Sequence, residues 1–237
     1  MNHKRLKIGL ALAGGLLTLF LLNVIGQGIN TLDRLTLVER ERDSWQRAPE
    51  IVSQLALRNG SRVVDLGCGA GYFSLKLSKE VGTTGTVEAV DILRLPLEFL
   101  WIRALQRGMR NLHVVLGDPD DPHVSGRMDA VLIVNTYHEL SRPAIILGHL
   151  REALVAGGRL VIADRSPQSE NTAHAIDSAV VEAELGKDGF DVLSRDDHFL
   201  DQPDDGPWWL IVAGKGADSR SPAIGTAAKS VSGRASL

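Results

Sequence analysis

The stretch VVDLGCGAGYF, residues 63–73, constrains this chain more than any other. The β-branched pair Val63-Val64 reads as a buried strand. It runs into Asp65 and then into glycines at alternate positions, Gly67, Gly69 and Gly71. An amphipathic helical pattern follows, with Phe73, Leu75 and Leu77 set among polar residues. Strand, glycine turn and helix together bring backbone amides and a helix N-terminus close to a nucleotide-like ligand. The spacing narrows the ligand. A dinucleotide fingerprint G-x-G-x-x-G needs glycine at 67, 69 and 72, and position 72 is Tyr72. Asp65 would also repel a pyrophosphate, because like charges in a confined site raise the free energy. The same carboxylate suits a ligand that carries an ammonium and a sulfonium.

This D-x-G-x-G-x-G form resembles the first motif of the class I S-adenosylmethionine-dependent methyltransferases. The following strands can be read against that resemblance. Thr86 to Val90 is a short β-rich run ending in Asp91, at the place of a ribose-binding acid. A carboxylate there can accept from both ribose hydroxyls, at about 1.5–3 kcal/mol for each charge-assisted bond. Asn111 to Leu116 reads as a third strand, followed by Gly117-Asp118, a position that touches the adenine amino group in the resembling enzymes. Met128 to Val134 reads as a fourth, opening into Asn135-Thr136-Tyr137-His138-Glu139. Arg159 to Ala163 reads as a fifth, after a Gly157-Gly158 turn expected to stop the preceding helix. One Asp or Asn at a strand end is an ordinary turn former or cap. Here the glycine turn, Asp91, Asp118 and Asn135 each follow a different successive strand, and that order carries the reading. The expected cofactor is S-adenosylmethionine, held by Asp65, Gly67, Cys68, Gly69, Gly71, Tyr72, Asp91, Ile92, Gly117, Asp118 and Asn135.

Strands alternating with helical segments imply an α/β, doubly wound sheet with the ligand over the carboxyl ends of its strands. Helices are expected over Pro49–Leu57, Ile92–Arg107, Pro143–Val155 and Thr172–Leu185, with final strands over Phe190–Ser194 and Trp208–Ala213. The resemblance implies seven strands, mostly parallel, with an antiparallel final strand. Over residues 40–213 the chain looks like a bacterial group of small methyltransferases with a W-Q-x-x-P start and a Y-H-x-L fourth motif. In such enzymes the segment Arg42–Pro49 covers the cofactor; a Trp45 that only packs a helix onto the sheet is the simpler alternative.

Ahead of this domain, Lys4, Arg5 and Lys7 precede Ile8 to Gly26, about 19 uncharged residues spanning about 28 Å as a helix. An uncleaved membrane anchor is expected; a signal peptide is the rival, with Val24-Ile25-Gly26 as a mediocre cleavage site. The expected partition is anchor or signal at 1–28, helical stalk or lid at 29–58, catalytic domain at 59–214 and a Gly-, Ala- and Ser-rich disordered tail at 215–237. Basic residues flank the span on both sides, so their count leaves its orientation balanced. Need for the cofactor argues for a cytosolic domain, and export is the alternative.

The net charge of −3, with no block of Lys and Arg in the domain, makes nucleic acid a poor first substrate. Cys68 is the only cysteine, which excludes an intrachain disulfide and a cysteine-held iron–sulfur centre. It reads as a small packing residue of the turn. The acceptor is expected to be a small or lipid-like molecule. His138 is the candidate general base beyond the fourth strand, with Tyr137 beside it; the alternative is that His138 only fixes the loop. No metal is expected, because Asn135 and Asp164-Arg165 supply one carboxylate and a cation to the strand ends. The Asp118–Pro122 loop reads as a solvated turn.

Overall fold

A computed structural model of the chain describes residues 3–167, 174–202 and 206–216, with side chains from Gly15 onward. Seven strands form one sheet: β1 (Arg62–Leu66), β2 (Thr86–Asp91), β3 (Leu112–Leu116), β4 (Met128–Val134), β5 (Leu154–Arg165), β6 (Phe190–Gln202) and β7 (Gly206–Lys215). Their spatial order is β3-β2-β1-β4-β5-β7-β6. β7 runs antiparallel to both β5 and β6, and the other neighbours are parallel. The order reverses at β1, which has β2 on one side and β4 on the other. A crevice therefore opens above the carboxyl ends of β1 and β4, where ligands of such sheets bind.

The helices are α1 (His3–Trp45), α2 (Ala48–Gln54), α3 (Tyr72–Glu80), α4 (Arg94–Gln106), α5 (Pro143–Ala153) and α6 (Ser178–Lys187). Alternate residues of β1 feed two separate cores. Val63 packs with Ile51, Phe73, Leu77 and Leu100 under α2, α3 and α4. Val64 packs with Ile146, Leu150, Val181 and Leu185 under α5 and α6. Burial on both faces explains why β1 and β4 read as continuous apolar runs rather than as alternating patterns.

Several boundaries differ from the sequence reading. The apolar N-terminal segment and the stalk are one helix, α1, which crosses the expected division at residue 28 without a break. No proline interrupts residues 3–45, so nothing in the backbone stops the helix. It ends where Arg47 takes a left-handed φ of 50°, ahead of Pro49 in the first turn of α2. Gly157-Gly158 does not stop α5. That helix ends at Ala153 and β5 begins at once. Met128 pairs with Leu154 but Ala130 with Arg159, so the glycines lie in a bulge inside β5, with Gly157 at φ 76°. α4 begins at Arg94, leaving Ile92 and Leu93 in the loop above β2. α6 begins at Ser178, capped by Asp177, whose side chain accepts from Ala179 N at 2.7 Å. Thr172, and the expected tail beyond Gly216, lie outside the described residues.

Candidate cofactor and active site

The glycine bend between β1 and α3 is tied to the end of β2. Val90 O accepts from Gly67 N at 2.8 Å and from Cys68 N at 3.0 Å. Asp91 adds both of its oxygens: Oδ2 accepts from Gly69 N and Oδ1 from Leu93 N, each at 2.8 Å. Gly67 has φ 72°, and a Cβ there would lie 2.2 Å from the Thr136 side chain, so only glycine lets the bend approach the end of β4. Gly69 has φ 52°, and a Cβ there would meet nothing within 4 Å. Gly69 borders both cavities of the site.

Two cavities meet across this bend, sharing Gly67, Gly69 and Asn135. The first, of about 440 Å³, holds Asp65, Cys68 and Tyr72 from the bend, Arg42, Trp45 and Gln46 from α1 and its end, and Trp208 from β7. The second, of about 410 Å³, holds Asp91, Ile92, Gly117 and Asp118 with the apolar Leu140 and Ile146. One is charged and roofed by α1; the other is mostly apolar and formed by loops at strand ends.

Asp65 is 3% exposed. Burial pushes its carboxyl up to about 6, against the opposing pull of the Ser74 hydroxyl, which donates to Oδ2, and of the Arg42 charge. Arg42 stacks its guanidinium 3.9 Å from the Tyr72 ring centroid, and its Nε donates to Gln46 Oε1 at 2.6 Å. Burial lowers the Arg42 pKa, and the nearby Tyr72, Asp65, Glu39 and Asp43 offset part of that. The Tyr72 hydroxyl donates to Asp43 Oδ1 at 2.8 Å, and burial together with Asp43 raises its pKa. Burial also pushes the Cys68 thiol up, and Asp65 and Asp91 push it further, which suits packing and not nucleophilic chemistry. Trp45 meets Trp208 edge-on, with centroids 5.9 Å apart. Arg103 pairs with Glu39 of α1 and donates to Ala70 O, so α1, α4 and the bend are linked through one buried guanidinium.

Two orphaned atoms test whether this site fits S-adenosylmethionine. Among the described residues, Gln46 Nε2 is buried without a hydrogen-bond partner on the first cavity, as is Asn135 Oδ1 where both cavities meet. A donor beside Arg42 fits a carboxylate, and Asp65 fits an ammonium. Asp91 fits a ribose, and the Ile92, Leu140 and Ile146 walls fit a flat base. The residues match the group.

The expected cofactor residues Asp65, Gly67, Cys68, Gly69, Tyr72, Asp91, Ile92, Gly117, Asp118 and Asn135 all border these cavities. Gly71 stands behind them as the N-cap of α3. Asp118 also pairs its main chain with Asp121 and its side chain with His123 at 3.2 Å, as a turn residue does. Tyr137 and His138 stand apart and border neither cavity. The Tyr137 ring is buried in the core on the α5 and α6 face, and its hydroxyl donates to Glu184 of α6 at 2.7 Å. Burial and Glu184 raise its pKa, and the hydroxyl points to α6 and not to either cavity. His138 turns its ring toward Asp164, with Nδ1 2.8 Å from Oδ1. Nor is it the only imidazole there: His174 lies with its ring centroid 5.9 Å from that of His138. Arg42, Arg103 and Trp208 went unread as site residues. Arg103 left one usable signal, an arginine on the apolar side of a helix.

Comparison with known proteins matches residues 57–204 to the family described as "Methyltransferase domain". The chain belongs to this family. Residues 57–204 form a methyltransferase domain, and this family and fold imply S-adenosylmethionine as the cofactor. Aklanonic acid methyltransferase DauC of Streptomyces sp. (strain C5) is 30% identical over 142 residues, covering 56% of this chain and 60% of that protein. Demethylmenaquinone methyltransferase of Staphylococcus aureus (strain Newman) is 27% identical over 123 residues, covering 52% and 49%. The chain thus spans only about half to three-fifths of the length of these curated relatives. Among solved structures, a SAM-dependent methyltransferase from Aquifex aeolicus superposes with a TM-score of 0.65 at 20% identity, over 78% of this chain and 98% of that one. The [4+2]-cyclase SpnF superposes at 0.62 with 14% identity, over 73% and 81%. Both likenesses concern the fold alone.

Proposed function

We propose that the chain transfers a methyl group from S-adenosylmethionine to a small, flat, largely apolar acceptor, from a domain tethered to a membrane by α1. The observation that carries this reading is the split crevice. Asp65 faces the first cavity and Asp91 the second, on either side of one glycine bend. When bound, the cofactor supplies an electrophilic methyl on a sulfonium, and the protein's task is position and desolvation. Asp65 accepts from the amino group, and Arg42 with Gln46 Nε2 donates to the carboxylate. Asp91 accepts from the ribose, and Asn135 sits at the junction. Beside the charged Glu39, Arg103 and Arg165, the first cavity presents an apolar and aromatic group: Leu35, Val38, Trp45, Val134 and Trp208. Such a wall receives a ring system better than a peptide or a nucleic acid. The printed names of the two relatives, for aklanonic acid and demethylmenaquinone, support a small-molecule acceptor.

The tether rests on α1. By length and composition it is the one helix among the described residues suited to cross a membrane, with Leu16, Phe20 and Ile25 all exposed. The same composition suits a signal sequence. The helix carries Arg42 and Trp45 into the cofactor cavity, so the tether and the cavity roof are one element.

The test incubates the full chain, in detergent and in vesicles, with methyl-labelled cofactor and a panel of hydroxylated aromatic, quinol, peptide and RNA acceptors. Label is expected on aromatic or quinol compounds. Cofactor binding with no label on any acceptor would instead favour a binding protein on the same fold. A C-terminal reporter enzyme that works only after export is expected to stay silent, and strong activity would place the domain outside the cytosol.

A further inference from the structure

His138, which borders neither cavity, is held in a second arrangement. We infer that His138, Glu139 and His174 form a binding site for a divalent transition cation of the zinc class, at the edge of the second cavity, which Glu139 borders. The side chain of His138 is 2% exposed, and that of Asp164 is fully buried. Asp164 Oδ1 lies 2.8 Å from His138 Nδ1 and accepts from Arg165 N at 2.8 Å, while Oδ2 accepts from His138 N at 3.2 Å. A carboxylate only accepts, so Nδ1 carries the proton and Nε2 presents its lone pair. Nε2 is buried and has no hydrogen-bond partner among the described residues. Leaving such an atom unsatisfied costs about 1–3 kcal/mol, so its surroundings need an electrophile or a donor.

What surrounds it is a set of ligands. Glu139 Oε1 lies 3.7 Å from His138 Nε2, and one ligand atom from each of His138, Glu139 and His174 falls within 4.8 Å of the others. Two imidazoles and one carboxylate are a ligand set of zinc sites with three protein ligands and a fourth position for water or substrate. A buried carboxylate on the far nitrogen of the ligating histidine is the outer-sphere partner that fixes the tautomer and orients the ring. Zinc bonds of about 2.0–2.2 Å require the three atoms to draw closer together. The exposed Glu139 and His174 side chains can make that movement and leave the ion a path in. The expectation that no metal binds considered carboxylates at the strand ends; a mixed imidazole site differs in both donors and place. It is built by residues 138 and 174, which no short motif joins.

The experiment adds Zn²⁺ to the chelator-stripped full chain in competition with a chromophoric chelator, and separately adds Co²⁺ and records the visible spectrum. S-adenosylhomocysteine affinity is measured on every variant to verify the fold. Expected are one tightly held equivalent of Zn²⁺ and the visible bands of low-symmetry Co²⁺. His174→Ala, an exposed change that leaves the core alone, should weaken Zn²⁺ binding at least about tenfold with cofactor-product affinity intact. Asp164→Asn should weaken it about 10- to 100-fold, through the outer sphere. Binding of less than one equivalent, or equal binding by the unaltered chain and His174→Ala, would overturn the site.

Discussion

The two halves of the crevice solve different problems with different parts of the chain. The half around Asp91 is assembled from loops that each follow a strand, and Asp91 accepts from Gly69 N and Leu93 N. The half around Asp65 buries a carboxylate, a guanidinium and an amide, two of them brought by α1 and its end, and it needs α1 to close it. Desolvation dominates that half, where it raises the Asp65 carboxyl and lowers the Arg42 pKa. Under the proposed function, the roofed half would select the cationic end of the ligand and the open half its adenosine.

The sharpest way to break this contrast is Asp65→Asn, which keeps the shape and removes the charge. Cofactor affinity is expected to fall by about 100-fold or more, the loss of a buried charge-assisted bond together with its Coulomb partner. The pH dependence should go with it. Asp65 in the free protein is raised to about 6, and a cationic ligand binds the ionised form. Affinity of the unaltered chain should therefore rise as pH increases through 6 and level off above, while Asp65→Asn should show no such rise. Stability runs the other way. A carboxyl raised above its usual value favours the fold at low pH and loses that contribution as pH rises through 6. Without ligand, Asp65→Asn should thus be the more stable form at pH 8, by up to roughly 3 kcal/mol in chemical denaturation.

The bend joining the halves separates fold from site. Gly67→Ala must push a methyl into Thr136 at a left-handed φ, and should cost about 2–4 kcal/mol in denaturant unfolding. Gly69→Ala meets no neighbour, and should cost only about 1 kcal/mol while weakening the cofactor that shares its space. In the open half, Asp91→Asn should lower cofactor affinity about tenfold by calorimetry, since an amide still offers one acceptor. An effect as large as that of Asp65→Asn would erase the distinction between the halves. The smallest effect is expected at Tyr137→Phe, which should lose about 1 kcal/mol of stability through its Glu184 bond and leave cofactor affinity unchanged.

The same contrast explains what was legible in the sequence. The open half and the bend were readable because strand, turn and acid adjoin in the chain: Asp65, the glycines, Asp91, Gly117-Asp118 and Asn135 lie where their spacing put them. The roofed half was readable only through the resemblance that marked Arg42–Pro49 as a cover. Arg42 and Arg103 meet the bend through tertiary packing, which leaves no periodic trace. Adjacency of Tyr137 to Asn135 says nothing of direction, and the turn after β4 sends its ring into the core on the α5 and α6 face. His174 was unread for the reverse reason, since it reaches His138 from a segment ahead of α6. Gly157-Gly158 reads like a helix stop, but pairing between β4 and β5 on both sides of it makes it a bulge.

Calorimetric titration of the full chain with S-adenosylmethionine at pH 5 and pH 8, repeated on Asp65→Asn, tests the central claim most directly. Tighter binding at pH 8 by the unaltered chain, and weak, pH-independent binding by the variant, is the predicted result. Equal affinity of the two proteins at both pH values, or preference for NAD over S-adenosylmethionine, would contradict it.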